Sequence, residues 1–97
     1  MTVYVVAQLS IHDRAAYDRY QARFMDVFLK YNGRLLAADE KPAVAEGDWD
    51  KDKIVLMSFP SEDDFNAWAQ SPEYQEILAI RKDGASAVVL LAQGLQG

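Results

Sequence analysis

The sequence has no cysteine and only one histidine among its 97 residues. Disulfides and thiolate metal sites are therefore excluded, and a lone histidine without partner ligands argues against any metal site. No apolar run approaches the roughly 20 residues that a membrane-spanning helix requires. The N-terminus leads straight into strand-like sequence, without a basic segment or a small-residue cleavage site. We therefore expect no cofactor, no membrane segment, no signal peptide and a reducing, cytoplasmic setting.

Positive charge is also scarce. Ten Lys and Arg residues stand against 15 Asp and Glu residues, which gives a net charge of −5. The basic residues stand singly except for Arg81-Lys82, whereas a nucleic-acid-binding domain normally carries a basic patch or stripe. The acidic clusters at 48–52 and 62–64 are typical of solvated loops and first helical turns. We expect no nucleic-acid partner.

Apolar segments of strand length are prominent in what remains. They cover residues 2–9, 34–39 continued at 43–46, 53–59 and 87–92, and residues 93–97 follow as a short tail. In the third segment, β-branched and aromatic residues followed by Pro60 predict a strand in the middle of a sheet. Pro42 interrupts the second segment and indicates an edge strand, which we expect to form a hairpin with the third.

Two helical regions separate these strands. Aromatic residues at helical spacing predict a first helix over 14–32, with Asp13 as its N-cap. The second region covers 61–83 and is interrupted at Ser71-Pro72. That pair also suits a new helix start, with the serine as N-cap and the proline at the first helical position. The helical pattern therefore resumes directly after the interruption.

The element order β-α-β-β-α-β predicts an α+β, ferredoxin-like fold over residues 1–97, a single domain whose four-stranded antiparallel sheet carries its helices on one face. An exposed second face should alternate to polar residues, yet strands one, three and four remain apolar on both faces. We therefore expect a homodimer in which the uncovered faces of two sheets pack together. Trp49, in a polar loop, is expected to cover a dimer or hairpin edge.

Several motifs together resemble a known family over nearly the whole chain. They are Glu46-Gly47-Asp48-Trp49, Phe59-Pro60-Ser61, Trp68 followed by Ser71-Pro72-Glu73-Tyr74-Gln75, the pair Tyr17 and Tyr20, and the helix end before Gly33-Arg34. The family they resemble is catalogued as domain of unknown function 1330 (DUF1330). The resemblance implies a dimeric α/β barrel. That superfamily includes cofactor-independent monooxygenases, isomerases, haem-degrading enzymes and ligand-binding modules, so the fold alone does not choose an activity.

Arg81 is the most informative single candidate. It shares an apolar helical face with Tyr74, where an unpaired charge is costly. One interpretation is an anchor for a carboxylate or other anion in a pocket between helix and sheet. The alternatives are an internal ion pair with Glu46 or Asp48, or a side chain that extends along apolar surface into solvent.

Aromatic residues on the same faces would line such a pocket and orient an aromatic or enone-like ligand through their polar tips. The alternative is ordinary core packing, with the polar tips reaching backbone groups or water, which is the commoner role of an aromatic stripe at helical spacing. The ligand-binding candidates are Tyr17, Tyr20, Trp68, Tyr74 and Arg81, with Tyr31 as a further wall residue.

His12, between the first strand and the first helix, is the one catalytic candidate, as a general base. The alternative is an exposed turn residue, because no serine, cysteine or metal-ligand set accompanies it. Three functions stay open. They are binding of a small organic or anionic ligand, a cofactor-independent monooxygenase or isomerase acting on a small aromatic or keto compound, and a structural dimer without a pocket.

Overall fold

The computed structural model describes residues 1–95, so the last two residues of the predicted tail, 96 and 97, lie outside the described residues. The described chain contains, in order, β1 (Val3–Ile11), α1 (Arg14–Phe28), β2 (Arg34–Asp39), β3 (Lys53–Phe59), α2 (Glu62–Ala69), α3 (Pro72–Gly84) and β4 (Ala85–Gln93). The predicted α+β, ferredoxin-like order is confirmed. The second helical region is divided into two helices at the predicted interruption.

All the described strands belong to one antiparallel sheet in the order β2-β3-β1-β4. β3 pairs with both β2 and β1, which confirms its predicted central position and the edge position of β2. β1 and β4 are longer than predicted, because their pairing extends to Ile11 opposite Ala85. The two long strands therefore reach the point where α1 begins and α3 ends.

Each helix begins at a capping side chain, Asp13 for α1, Ser61 for α2 and Ser71 for α3. Each cap accepts a hydrogen bond from the backbone N–H three residues further on. Such caps satisfy an N–H that the helix itself cannot bond, which is worth about 1 kcal/mol. These short-range bonds explain why the helix starts follow closely from the sequence.

The predicted end of the first helix is wrong by four residues. α1 ends at Phe28, and the chain continues through turns to Asn32. The N–H groups of Lys30 and Tyr31 bond to carbonyls three residues back, at Val27 and Phe28, so the last turn is tighter than an α-helix.

The predicted continuation of the second strand at 43–46 is also wrong. β2 ends at Asp39, whose Oδ1 accepts a hydrogen bond from the backbone N–H of Lys41 at 2.8 Å. A side chain that bonds the backbone two residues ahead turns the chain away from the ladder. Residues 43–46 therefore lie in the loop that leads to β3.

The helices lie on one face of the sheet, here called the covered face. Alternate residues of β1 point to this face, and Val3, Val5 and Leu9 are buried there. The largest fully buried side chains are Tyr17, Phe28, Phe59, Ile77, Val3 and Val5. These side chains form the hydrophobic core between the helices and the sheet.

The opposite face, here called the open face, carries no helix. Val6, Leu56 and Leu90 form a row across its three adjacent strands β1, β3 and β4. In the single chain Leu90 is 53% exposed and the neighbouring Val88 is 46% exposed. The open face is therefore apolar at its centre and accessible to solvent.

Gly84 joins the end of α3 to the start of α1. Its carbonyl accepts hydrogen bonds from the backbone N–H groups of His12 and Asp13, at 2.9 and 3.0 Å. A Cβ at this position would collide with the backbone nitrogen of Tyr17, so only glycine allows the close approach. Within residues 1–95, no helix is both long and apolar enough to cross a bilayer.

Candidate ligand-binding site

A cavity of about 550 Å³ lies between the helices and the covered face of the sheet. Its volume falls in the range of about 300–1,000 Å³ that is usual for small-molecule sites. Ala7, Ala38 and Ala87 line it from the sheet, and their small side chains leave space that larger residues would fill. Met25 and Leu35, each 39% exposed, mark where the cavity meets solvent.

The five ligand-binding candidates chosen from the sequence all line this cavity. They are Tyr17, Tyr20, Trp68, Tyr74 and Arg81. The structure brings these side chains together from three different helices. Their role in binding stays a prediction. Tyr31, the further wall residue, is not part of the lining. Its hydroxyl donates to Glu73 Oε1 at 3.2 Å instead.

Two tyrosine hydroxyls meet at the cavity wall. The hydroxyl oxygens of Tyr20 and Tyr74 lie 3.0 Å apart, and both side chains are buried. Burial raises the pKa of Tyr20 well above its ordinary value and also raises the pKa of Tyr74. Burial likewise raises the pKa of Tyr17 to about 12. These hydroxyls stay protonated at neutral pH. The Tyr20–Tyr74 bond uses one of its two protons, and the other remains able to bond a ligand oxygen.

Trp68 supplies a second unused donor. Its side chain is 3% exposed, its ring centroid lies 4.1 Å from that of Tyr74, and the rings of Phe28 and Phe59 also pack against it. Among the described residues, no acceptor lies within hydrogen-bond distance of its Nε1. A buried donor without an acceptor costs about 1–3 kcal/mol.

Arg81 is partly buried in the cavity wall. Its Nη1 donates to the carbonyl of Ala85 at 3.4 Å, a long and weak contact. The alternative of an ion pair with Glu46 or Asp48 is not borne out, because neither carboxylate lies within ion-pair distance of Arg81 and both line a separate recess in the exposed loop before β3. Within residues 1–95, Arg81 forms no ion pair at all. Its charge therefore remains available to a ligand.

Lys53 is the functional candidate that the sequence interpretation missed. It is the first residue of β3, it is only 5% exposed, and it lines the cavity. Its Nζ donates to Gln21 Oε1 at 2.7 Å and lies 4.9 Å from the centroid of the Tyr17 ring. Burial lowers the pKa of Lys53. The sequence did contain a signal for this position. Residues two apart in a strand point to the same face, so Lys53 lies on the covered face together with Val55 and Met57.

The charges around the cavity are all of one sign. Lys53 and Arg81 line it, and the described lining contains no Asp or Glu. The whole chain nevertheless carries a net charge of −5. Cations in an apolar setting are costly unless an opposite charge compensates them. The cavity therefore suits a ligand that brings a negative charge or a strongly accepting oxygen.

His12 is not part of this site. Its side chain is exposed and does not line the cavity, while its backbone is held by the carbonyl of Gly84. A general base must come within hydrogen-bond reach of the proton that it removes. Within the described chain there is also no group of three or more His, Cys, Asp or Glu residues that could hold a metal ion.

Trp49 lies over the open face, away from the cavity. Its Nε1 donates to Oε1 of Gln8, an open-face residue of β1, at 3.0 Å. With Ile54, Pro42 and Val44 it lines a shallow recess of about 400 Å³. The two tryptophans of the chain thus mark opposite faces of the sheet.

Solved structures with the same fold include proteins of different or unknown function. The RPA0582 protein of unknown function from Rhodopseudomonas palustris aligns with a TM-score of 0.82 at 16% identity, over 99% of this chain and 84% of that chain. SnoaB, a cofactor-independent oxygenase from Streptomyces nogalater, gives a TM-score of 0.72 at 16% identity, over 99% and 95% of the two chains. A Thermobifida fusca protein, described as dimeric, ferredoxin-like and of unknown function, gives a TM-score of 0.67 at 16% identity, over 96% and 92%.

At these identities the likeness shows a shared fold and nothing finer. No curated protein matches the chain significantly. The family model for "Domain of unknown function (DUF1330)" matches residues 2–95. The match spans nearly the whole chain, including every strand and helix that lines the cavity. The protein therefore belongs to the DUF1330 family.

Proposed function

We propose that this protein binds a small organic anion with a flat, largely apolar body in the cavity between its helices and its sheet. The observation that carries the proposal is the lining itself, in which Lys53 and Arg81 have no carboxylate beside them among the described residues. Phe24 and Val55 supply apolar walls for the body of the ligand. The two cations suit its charged oxygen.

The expected contribution of the charge can be bounded. A hydrogen bond to a charged group contributes about 1.5–3 kcal/mol, and each 1.4 kcal/mol is a factor of ten in affinity. Losing the Arg81 guanidinium should therefore weaken binding of an anion by about ten- to a hundredfold. The affinity for an uncharged ligand of the same shape should change little.

The test is isothermal titration calorimetry with 2-naphthoate and with its uncharged methyl ester. We expect the wild-type protein to bind the acid at least about tenfold more tightly than the ester. Arg81→Gln should lose most of this preference, and Arg81→Lys should keep part of it. Arg19→Gln, at an exposed position of α1 outside the cavity, is the matched control and should behave as wild type.

Equal affinity for acid and ester in the wild-type protein would contradict the proposal. So would an unchanged preference in Arg81→Gln and in Lys53→Met alike, because the preference would then come from outside the cavity. Circular dichroism of each variant separates loss of binding from loss of folding.

Binding is favoured over the two other functions by specific features of the site. An oxygenase or isomerase with His12 as its base has no support from the geometry, because His12 lies outside the cavity. SnoaB is a cofactor-independent oxygenase, but it shares only the fold with this chain at 16% identity. A structural dimer without a pocket does not fit a cavity of about 550 Å³.

We further propose that a second copy of the chain covers the open face. Val6, Leu56 and Leu90 form an apolar row there, and monomeric proteins seldom expose large apolar patches. The Thermobifida fusca protein with this fold is described as dimeric. Sedimentation equilibrium should give twice the chain mass of 10.9 kDa. A monomer at every concentration up to the millimolar range would contradict the dimer.

A further inference from the structure

We infer that Lys53 makes the cavity selective for weakly acidic hydroxyl compounds, namely phenols and enols, which it holds as their conjugate bases. This inference rests on the proposed function, because it needs a ligand in the same cavity. It adds the chemical class of the ligand and assigns a specificity-determining role to a residue that no sequence motif marks.

The hydrogen-bonding capacity of Lys53 is the first support. A charged amine has three N–H donors. Gln21 Oε1 accepts one of them at 2.7 Å, and the face of the Tyr17 ring lies 4.9 Å away. With only 5% of the residue exposed, bulk water has little access to the rest. Within residues 1–95, at least one donor of Lys53 therefore has no protein acceptor and is available to an oxygen atom in the cavity.

The neighbouring carboxylates do not neutralise Lys53. Glu40 and Asp18 are the acidic residues whose charges act on the pKa of Lys53, and both are bound to Arg14. Arg14 bonds both oxygens of Glu40, at 2.6 and 2.9 Å, and one oxygen of Asp18 at 3.1 Å. Within the described chain, no carboxylate lies within ion-pair distance of Lys53. These three charges sum to −1, and all three side chains are exposed, so solvent screens their effect on Lys53.

The position of Lys53 on the sheet is the second support. It lies opposite Leu9 in the register of β1 and β3, and its alternate neighbours Val55 and Met57 line the cavity. The side chain is therefore part of a mostly apolar wall. A cation in such a wall acts on a nearby acid through a medium that screens charge poorly.

Two opposing effects decide whether a bound phenol keeps its hydroxyl proton. Burial alone raises the pKa of its hydroxyl group, because it disfavours the anion. A cation within about 4–6 Å lowers the pKa of an acid by about 1–3 units. In the complex, the phenolate oxygen accepts a hydrogen bond from Nζ, which carries three protons. The phenolic proton leaves for water when Nζ is already charged, and moves to Nζ when it is not.

Removing the charge of Lys53 should weaken the effect. With Lys53→Met, burial opposes the charge of Arg81 alone, so the bound phenol should hold its proton more tightly than it does in the wild-type protein. With Lys53→Arg, the charge remains and the effect should persist in part. This difference in the pKa of the ligand distinguishes an electrostatic role from a merely structural one, which would weaken binding without changing the ionisation of the ligand.

The experiment uses 4-nitrophenol, whose anion absorbs visible light and whose neutral form does not. A spectrophotometric pH titration of the ligand in excess wild-type protein should give an apparent pKa at least about one unit below its value in water, a tenfold shift in ionisation. Lys53→Met should raise the apparent pKa by at least about one unit relative to the wild-type protein, because only the charge of Arg81 then remains in the cavity. Lys82→Met, at an exposed position of α3, should match wild type.

The outcomes separate the inference from the proposed function. If the wild-type protein binds 2-naphthoate but leaves 4-nitrophenol unbound, or bound without a lowered pKa, the inference is overturned and the binding proposal stands. An unchanged shift in Lys53→Met would also overturn the inference, because another group would then be responsible. If 2-naphthoate does not bind either, both fail.

Discussion

On the covered face of the sheet, Val5 and Met57 are buried beneath the helices, whereas on the open face Val88 and Leu90 remain about half exposed in the single chain. Both faces are apolar in the sequence, yet only one is covered by elements of the same chain. The two faces also differ in charge. Lys53 lies on the covered face, while the centre of the open face carries no charge. Strands that are apolar on both sides thus indicate that both faces of the sheet are covered, but the strand sequences do not show what covers each face.

The largest expected effect comes from placing a charge on the open face. Leu90→Asp should dissociate the proposed dimer, because an unpaired charge buried in an interface costs about 3–5 kcal/mol. We expect the dimer dissociation constant, measured by sedimentation equilibrium, to rise at least about a hundredfold. Leu29→Asp, at a 68% exposed position after α1, is the control. A Leu90→Asp protein that remains dimeric would contradict the proposal that the open face forms the dimer interface.

A truncation on each face should separate their energetics. Ile77 is fully buried against the covered face, so Ile77→Ala should lower the free energy of unfolding by about 2–5 kcal/mol at any protein concentration. The cost of Leu90→Ala should fall as the protein is diluted, because it comes from association. Urea denaturation at two protein concentrations measures both. A concentration-independent cost for Leu90→Ala would count against the dimer.

Removing the buried charge of Lys53 should have a smaller effect that depends on pH. Because burial lowers its pKa, the unfolded chain binds more protons than the folded chain between that lowered value and the ordinary 10.5. Wild-type stability therefore rises with pH through this window. Lys53→Met should be more stable than wild type by about 1 kcal/mol at pH 7, and the advantage should shrink as the pH approaches 10.5.

Urea denaturation across this pH range is the measurement. Lys82→Met, at an exposed site, should leave the slope of stability against pH unchanged. If Lys53→Met has the same slope as wild type, then the charge of Lys53 is not held in a desolvated site.

The smallest effect compares one hydroxyl on each face. Tyr20→Phe removes a partner from the buried Tyr20–Tyr74 hydrogen bond and should cost about 1 kcal/mol. Tyr4→Phe removes a hydroxyl from the open face, where the side chain is 43% exposed, and should cost close to nothing. Equal costs for the two changes would mean that the hydroxyl pair is not held in a dry site.

Alkaline denaturation tests the direction of the pKa shift of Tyr20. The pKa of Tyr20 is raised above its ordinary value of 10.0, so the folded chain keeps a proton that the unfolded chain releases above that pH. Wild-type stability should therefore fall as the pH rises beyond about 10, and Tyr20→Phe should show a shallower loss. An identical loss in both proteins would contradict the raised pKa.

The parts of the fold that depend on short-range chemistry could be predicted. Ser61 and Ser71 cap their helices as expected, because a cap needs only the next three residues. The end of β2 at Asp39 was missed because the apolar sequence resumes at 43–46, and a single side-chain bond to Lys41 ends the strand first. Local pattern alone does not weigh such a bond against strand propensity.

The candidate site was predictable only where residues lie on helical stripes. Tyr20, Tyr74 and Arg81 were found because their spacing places them on inward faces. Lys53 was missed because a charged residue at the start of a strand usually lies in solvent, and its burial depends on Gln21 and Tyr17 from α1. The direction of a side chain at an element boundary depends on how the elements pack, which the sequence does not state locally.

The most direct measurement uses the two tryptophans, one on each face of the sheet. In a ¹H–¹⁵N NMR spectrum each indole N–H gives its own signal, and Trp49→Phe assigns them. Titration with 2-naphthoate should shift the signal of Trp68, whose side chain lines the cavity, and leave that of Trp49 in place. A shift confined to Trp49, or no shift of Trp68 at saturating ligand, would contradict a ligand site on the covered face.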